Sequence, residues 1–172
     1  MKQYMIKQFD YHTWANKRIL EHLRERPKEV YYQEVQSVFP SIEKVLIHIY
    51  VVDCVWLHIL NGKSMAEALQ VGKELQEQAE NKTMDELKSL FHKVTQQYKV
   101  FLDKQKDMNQ VILLDNTYAG RLKTSVSELV QHVVNHGTYH RGNITARLSI
   151  YYDGLCILFT CRTKILMEKI IA

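Results

Sequence analysis

Two prolines, Pro27 and Pro40, and six glycines are the only strong chain breakers in 172 residues. A sheet of many strands needs frequent turns, and turns draw on Gly and Pro. Their scarcity therefore directs this chain toward a few long helices, and the apolar residues recur with helical spacing. Met5, Phe9, His12, Asn16, Ile19 and Leu23 fall on one face of a helix predicted from residue 2 to about 25, which Pro27 stops. A second helix, about 41 to 60, is apolar on much of its surface and ends at Asn61-Gly62. Residues 62 to 82 read as a polar connection with a short helix over 65–70. Thr83-Met84-Asp85-Glu86 is a capping box, in which Thr83 and Glu86 satisfy each other's backbone donors; it opens a third helix to about Lys106. His92 lies off that helix's apolar stripe and is expected in solvent.

The pattern then changes. Val111-Ile-Leu-Leu is β-prone, and Asp115-Asn116 and Ala119-Gly120 carry turn chemistry, so a small hairpin is predicted before the last long helix. Ser125-Val126-Ser127-Glu128 is a second capping box and starts that helix, expected from 126 to about 149. Residues 150–172 form an apolar, mixed tail in which 163–171 could make a last short helix. The expected fold class is all-α: one domain over 1–172, an up-and-down four-helix bundle with a short β-like excursion. Ligand sites in such bundles are built from side chains on facing helices. The length suffices for a sizeable core without disulfides.

The last helix carries the chemistry. His132, His136 and His140 stand four residues apart, a spacing that puts Cβ atoms roughly 5–6 Å apart on one face. Leu129, Val133, His136, His140 and Ile144 follow the rhythm of a core-facing stripe, so histidines point where Leu or Val is expected. His136 and His140 can hold one metal ion between them. His48, which shares a side of its helix with Val45, Val52 and Val55, would complete a three-His set from another helix. Neutral imidazole suits Zn, Ni, Fe or Cu. Three protein nitrogens leave a position for water or substrate, as in catalytic zinc sites. No Glu follows the first histidine, which removes the HExxH zinc-protease reading. His132 is a ligand, a partner behind the ligands, or a solvated residue; the helix rise places it about 6 Å from His136 and 12 Å from its far neighbour if all three were to bind, so it ranks second. Arg141 is expected to anchor a carboxylate or a helix end. Gly137 and Gly142 would let a neighbouring helix approach. His12 and Asn16, polar on an apolar face, either meet water at the helix edge or line a polar pocket.

Several function classes drop out. The net charge is +4 with basic residues scattered, so no phosphate-binding stripe points to nucleic acid. No window approaches the ~18–20 apolar residues of a membrane span. Cys54, Cys156 and Cys161 are odd in number and form no CxxC pair, which suits a reducing cytosol; the N-terminus lacks a signal-peptide block.

His136-Gly-Thr-Tyr-His140-Arg141-Gly142-Asn143 resembles the HxxxHRGQ signature of the DinB/YfiT-like family, a group of bacterial, damage-inducible metalloproteins unrelated to the DNA polymerase that shares the symbol. Tyr11-His-Thr-Trp14-Ala15-Asn16 resembles the family's first-helix Y-x-x-W-A-N. Leu46-Ile-His48-Ile49, with Asp53 and Trp56-Leu57, resembles its second-helix pattern, and Asn116 to Thr124 its turn before the last helix. The resemblance covers roughly residues 4 to 148. It implies a four-helix bundle, a divalent-metal site (zinc or nickel) on His48, His136 and His140, and a cytoplasmic homodimer in the damage or stress response. It also implies a small-molecule substrate, with a low-molecular-weight thiol or water activated in an S-transferase-like reaction; if the protein is such an enzyme, Tyr11, His12 and Asn16 are the expected substrate contacts. A non-catalytic metal-binding stress protein is the alternative. Asn143 replaces the usual Gln, and the tail from Tyr151 does not follow the family's ending.

Overall fold

Side-chain caps fix where the helices start. Ser41 accepts a hydrogen bond from the Lys44 N–H at 3.2 Å, Ser64 from the Glu67 N–H at 3.2 Å and Thr83 from the Glu86 N–H at 3.3 Å. Each fills one of the donor groups that a first helical turn leaves unpaired. In this computed structural model, which describes residues 1–80, 82–116 and 120–151, the elements in chain order are α1 (Lys2–Arg24), α2 (Lys28–Tyr32), α3 (Ile42–Leu60), α4 (Met65–Ala79), α5 (Met84–Lys104), β1 (Val111–Asn116), β2 (Gly120–Ser125) and α6 (Val126–Tyr151). The chain is mostly helical with one small two-stranded sheet. The helix expected over 163–171, the rest of the tail beyond Tyr151 and the centre of the hairpin turn lie outside the described residues.

Two expectations need correction. The connection over 62–82 holds a fifteen-residue helix, α4, rather than a short one over 65–70. Ser64 and Glu67 form a full capping box, and the buried face consists of Met65, Ala68, Gly72 and Ala79. Small residues give a weak apolar rhythm, yet they let α4 lie close to α3: a Cβ on Gly72 would stand 2.7 Å from Val55 Cγ2. No element is expected between Pro27 and the helix from about residue 41, yet residues 28–32 form the single turn α2, with Tyr31 buried.

The hairpin is present. β1 and β2 pair antiparallel from Val111↔Ser125 to Asn116↔Gly120. Gly120 adopts a φ of +71°, a conformation that costs glycine little. Alternation along β1 buries Leu114 and leaves Val111 and Leu113 exposed.

α1 packs on α5 and α6, and α3 packs on α4, α5 and α6. With so many neighbours, α3 is buried on most of its surface, as its largely apolar content requires. Val45, Leu46 and Ile49 of α3 are sealed against Val130, Val133, Ile144 and Leu148 of α6 in one core. Each such side chain contributes roughly 1.5–3 kcal/mol on burial. His92 is exposed, as expected. No helix among the described residues is long and apolar enough to cross a membrane.

Candidate metal centre

The α3–α6 interface brings His48, His136 and His140 together. One ligand atom from each lies within 4.8 Å of the other two. The two histidines of α6 are one turn apart, with ring centroids separated by 4.4 Å, and the His48 ring lies 4.7 Å from that of His140. Nε2 of His48 and Nε2 of His136 are 3.0 Å apart. Phe39, on the loop before α3, packs against His48 and edge-on to His140 at centroid distances of 4.7 and 5.3 Å. The Phe39 carbonyl accepts a hydrogen bond from Arg147 Nη2 of α6, which ties that loop to the same interface.

Burial keeps these imidazoles neutral. It pushes His48 down to about 4, helped by the neighbouring His140, and His136 down to about 3, helped by His140 and His48. His140 is lowered by burial as well. Three neutral rings therefore meet at pH 7 with lone pairs available, the form in which imidazole ligates a metal. Nδ1 of His136 and Nδ1 of His140 are buried with no hydrogen-bond partner among the described residues. The convergence of one nitrogen from each of three imidazoles is a donor set that a shared divalent cation fits.

His132 stands outside that trio. It is exposed, its ring meets Trp56 edge-on at 4.8 Å, and it lies 6.3 Å from the His136 ring.

Next to His136 and His140 lies a second polar group, this one fully buried. His12 is 0 % exposed, and Asn16, Asp53 and Arg141 are each 2 % exposed. His12 Nε2 is 3.0 Å from Asp53 Oδ2, and its Nδ1 is 3.2 Å from Arg141 Nη1. A guanidinium only donates and a carboxylate only accepts. His12 must therefore take the arginine's N–H at Nδ1 and donate its own Nε2–H to Asp53. Arg141 also donates to Asn16 Oδ1 at 2.7 Å and to Thr138 Oγ1 at 2.9 Å. Burial lowers the guanidinium to about 10, with Asp53 and Tyr11 acting in the other direction, so it stays charged at neutral pH. The Tyr98 hydroxyl of α5 donates to the Asp53 carbonyl at 2.9 Å.

This group settles several sequence expectations. His12 and Asn16 do not meet water at the helix edge; they form a polar cluster inside the helical body. Arg141 holds an imidazole, an amide and a hydroxyl, where a carboxylate or helix end was expected, because α1 and not solvent faces it. Gly137 does admit a neighbour, since a Cβ there would stand 2.3 Å from His12 Cε1, whereas nothing lies within 4 Å of one on Gly142. Tyr11 is half-buried, its ring 5.7 Å from Trp14. Asp53, quoted above only as part of a motif, was missed as a network member. Its one available signal was an acidic residue on an otherwise apolar helix.

The sequence profile of the DinB family matches residues 1–149. Over 148 residues the chain is 46 % identical to "Protein DinB" of Bacillus subtilis (strain 168), an alignment that spans 86 % of each chain.

Proposed function

This chain belongs to the DinB family, and we propose that it is a metal-dependent enzyme whose His48, His136 and His140 hold a divalent transition metal, zinc or nickel. The observation that carries this reading is the convergence of three neutral imidazoles, from two helices, within 4.8 Å. A divalent cation held there supplies Lewis acidity and lowers the pKa of a thiol or water that it binds. Three protein nitrogens match the ligand count of catalytic rather than structural zinc sites. Phe39 packs on two of the rings from the loop side. Exposed Tyr139, its ring 5.0 Å from His140, marks the solvent rim.

The substrate in this reading is a small electrophile attacked by a low-molecular-weight thiol, an S-transferase reaction. Tyr11 is the one member of the Tyr11, His12 and Asn16 trio with surface to offer a substrate; the other two act from beneath the site. The same reading takes α1, α3, α5 and α6 as the four-helix bundle of a single domain, which works as a cytoplasmic homodimer in a damage or stress response.

The test is a thiol-consumption assay. Purified protein loaded with zinc or nickel is mixed with bacillithiol-type thiols and reactive electrophiles, and free thiol is followed. Metal-dependent consumption that disappears in His136→Ala is the expected result. Bound metal with no consumption for any thiol would replace this reading with that of a non-catalytic metal-binding protein.

A further inference from the structure

We infer that Gly137 and the buried His12–Asp53–Arg141 network are the positioning device that sets α6 against α3 at the spacing the three histidines need. The inference rests on the metal-binding reading above. None of these residues belongs to the trio, yet they are placed where its geometry is decided. Gly137 follows His136 directly, Thr138 lies between the two α6 histidines, and Arg141 follows His140. Asp53 stands on α3 five residues beyond His48.

The steric part is specific. A Cβ on Gly137 would lie 2.3 Å from His12 Cε1, 2.5 Å from His12 Nδ1 and 2.7 Å from Arg141 Nη1. The imidazole cannot swing away, because it is wholly buried and held by Asp53 at 3.0 Å and by Arg141 at 3.2 Å. Asn16 Nδ2 packs against His12 Nε2 at 3.1 Å without a hydrogen bond, since both atoms carry hydrogen. His12 therefore seats in the notch that the missing side chain leaves. The polar part gives direction. An apolar contact between helices can slide, but a donor-only guanidinium and an acceptor-only carboxylate on opposite nitrogens of one ring fix its orientation. Through that ring the turn bearing His136 and His140 is referenced to the helix bearing His48. Binding constellations need their groups held within about 0.5 Å, and packing of Val and Ile alone would leave α6 free to shift along its axis.

The comparison of Gly137→Ala with Gly142→Ala tests this. Both add one methyl to the same helix within two residues of a histidine of the trio, but only the first meets His12. The probe is cobalt(II), read by its visible absorption spectrum and by its dissociation constant in competition titration, with circular dichroism as the check on folding. Gly137→Ala is expected to bind cobalt about tenfold more weakly or worse, the loss typical of supporting residues around a metal site, with shifted absorption bands. Gly142→Ala is expected to match wild type. A folded Gly137→Ala with wild-type affinity and spectrum would overturn the inference, as would one that only melts earlier. If Gly137→Ala does not fold, Thr138→Val is read instead, since it removes one Arg141 partner without adding bulk. It is expected to show a shifted spectrum and at least about threefold weaker binding, and a wild-type spectrum and affinity would overturn the inference. Wild-type protein that takes up no cobalt would overturn the metal reading itself, a result distinct from any difference between the variants.

Discussion

Nε2 of His48 stands 3.0 Å from Nε2 of His136, across an interface between helices whose residues are 88 apart in the chain. Burial disfavours a charge on either ring, and the neighbouring histidines add to the effect. Both rings titrate far below the ordinary histidine value of 6.5, His48 at about 4 and His136 at about 3. Below pH 6.5 the unfolded chain therefore binds more protons here than the folded one, so stability falls as the pH falls toward 4 and is fully present above 6.5. Thermal melts of metal-free protein from pH 7 to pH 4 should show this decline. His136→Gln should make it shallower, and an identical slope in wild type and variant would exclude the cluster as its source.

Metal should raise the melting temperature of the wild type and leave His48→Ala and His136→Ala unmoved. A ligand that binds only the folded state stabilises by about 2.7 kcal/mol at a hundred times its dissociation constant. Calorimetry with and without zinc measures the difference. Equal gains in wild type and both variants would place the metal elsewhere.

Ser41→Ala should lower stability by about 1 kcal/mol. Ser41 is 3 % exposed and caps the helix that carries His48, accepting the Lys44 N–H at 3.2 Å. Because the cap sits seven residues from His48, metal stoichiometry should stay at the wild-type value. Urea unfolding reads the first effect and metal analysis the second.

Leu87→Ala should cost about 2–5 kcal/mol by leaving a cavity in the core. Leu87 is 1 % exposed on α5, a helix that contributes none of the three histidines. Reduced stability with unchanged metal affinity is expected, and a loss of affinity comparable to that of His136→Ala would mean the site is set by the whole core.

The long helices, the hairpin and the His48–His136–His140 trio were legible in the sequence because each leaves a local trace: a 3.6-residue rhythm, a β-prone run between turn residues, a polar side chain on an apolar face. α4 leaves a fainter trace. Its Ser64–Glu67 capping box opens a helix whose buried residues Ala68, Gly72 and Ala79 are small, so the apolar rhythm that should follow is weak. The His12 network was illegible for a different reason. Periodicity tells which way a side chain faces but not which partner it meets. Asp53 lies 41 residues from His12, and Arg141 lies 129. A polar residue on an apolar stripe announces only that some partner exists.

The distribution of the three histidines along the chain also has a temporal meaning. A polypeptide emerging from the ribosome as far as α5 exposes one of the three nitrogens, and His136 and His140 follow only with the final helix. The pairing of His48 with His136 spans 88 residues, the kind of contact whose closure comes late because the intervening segment must first be ordered. In the metal-binding reading, a cation held by all three would join an otherwise assembled protein and would not template its folding.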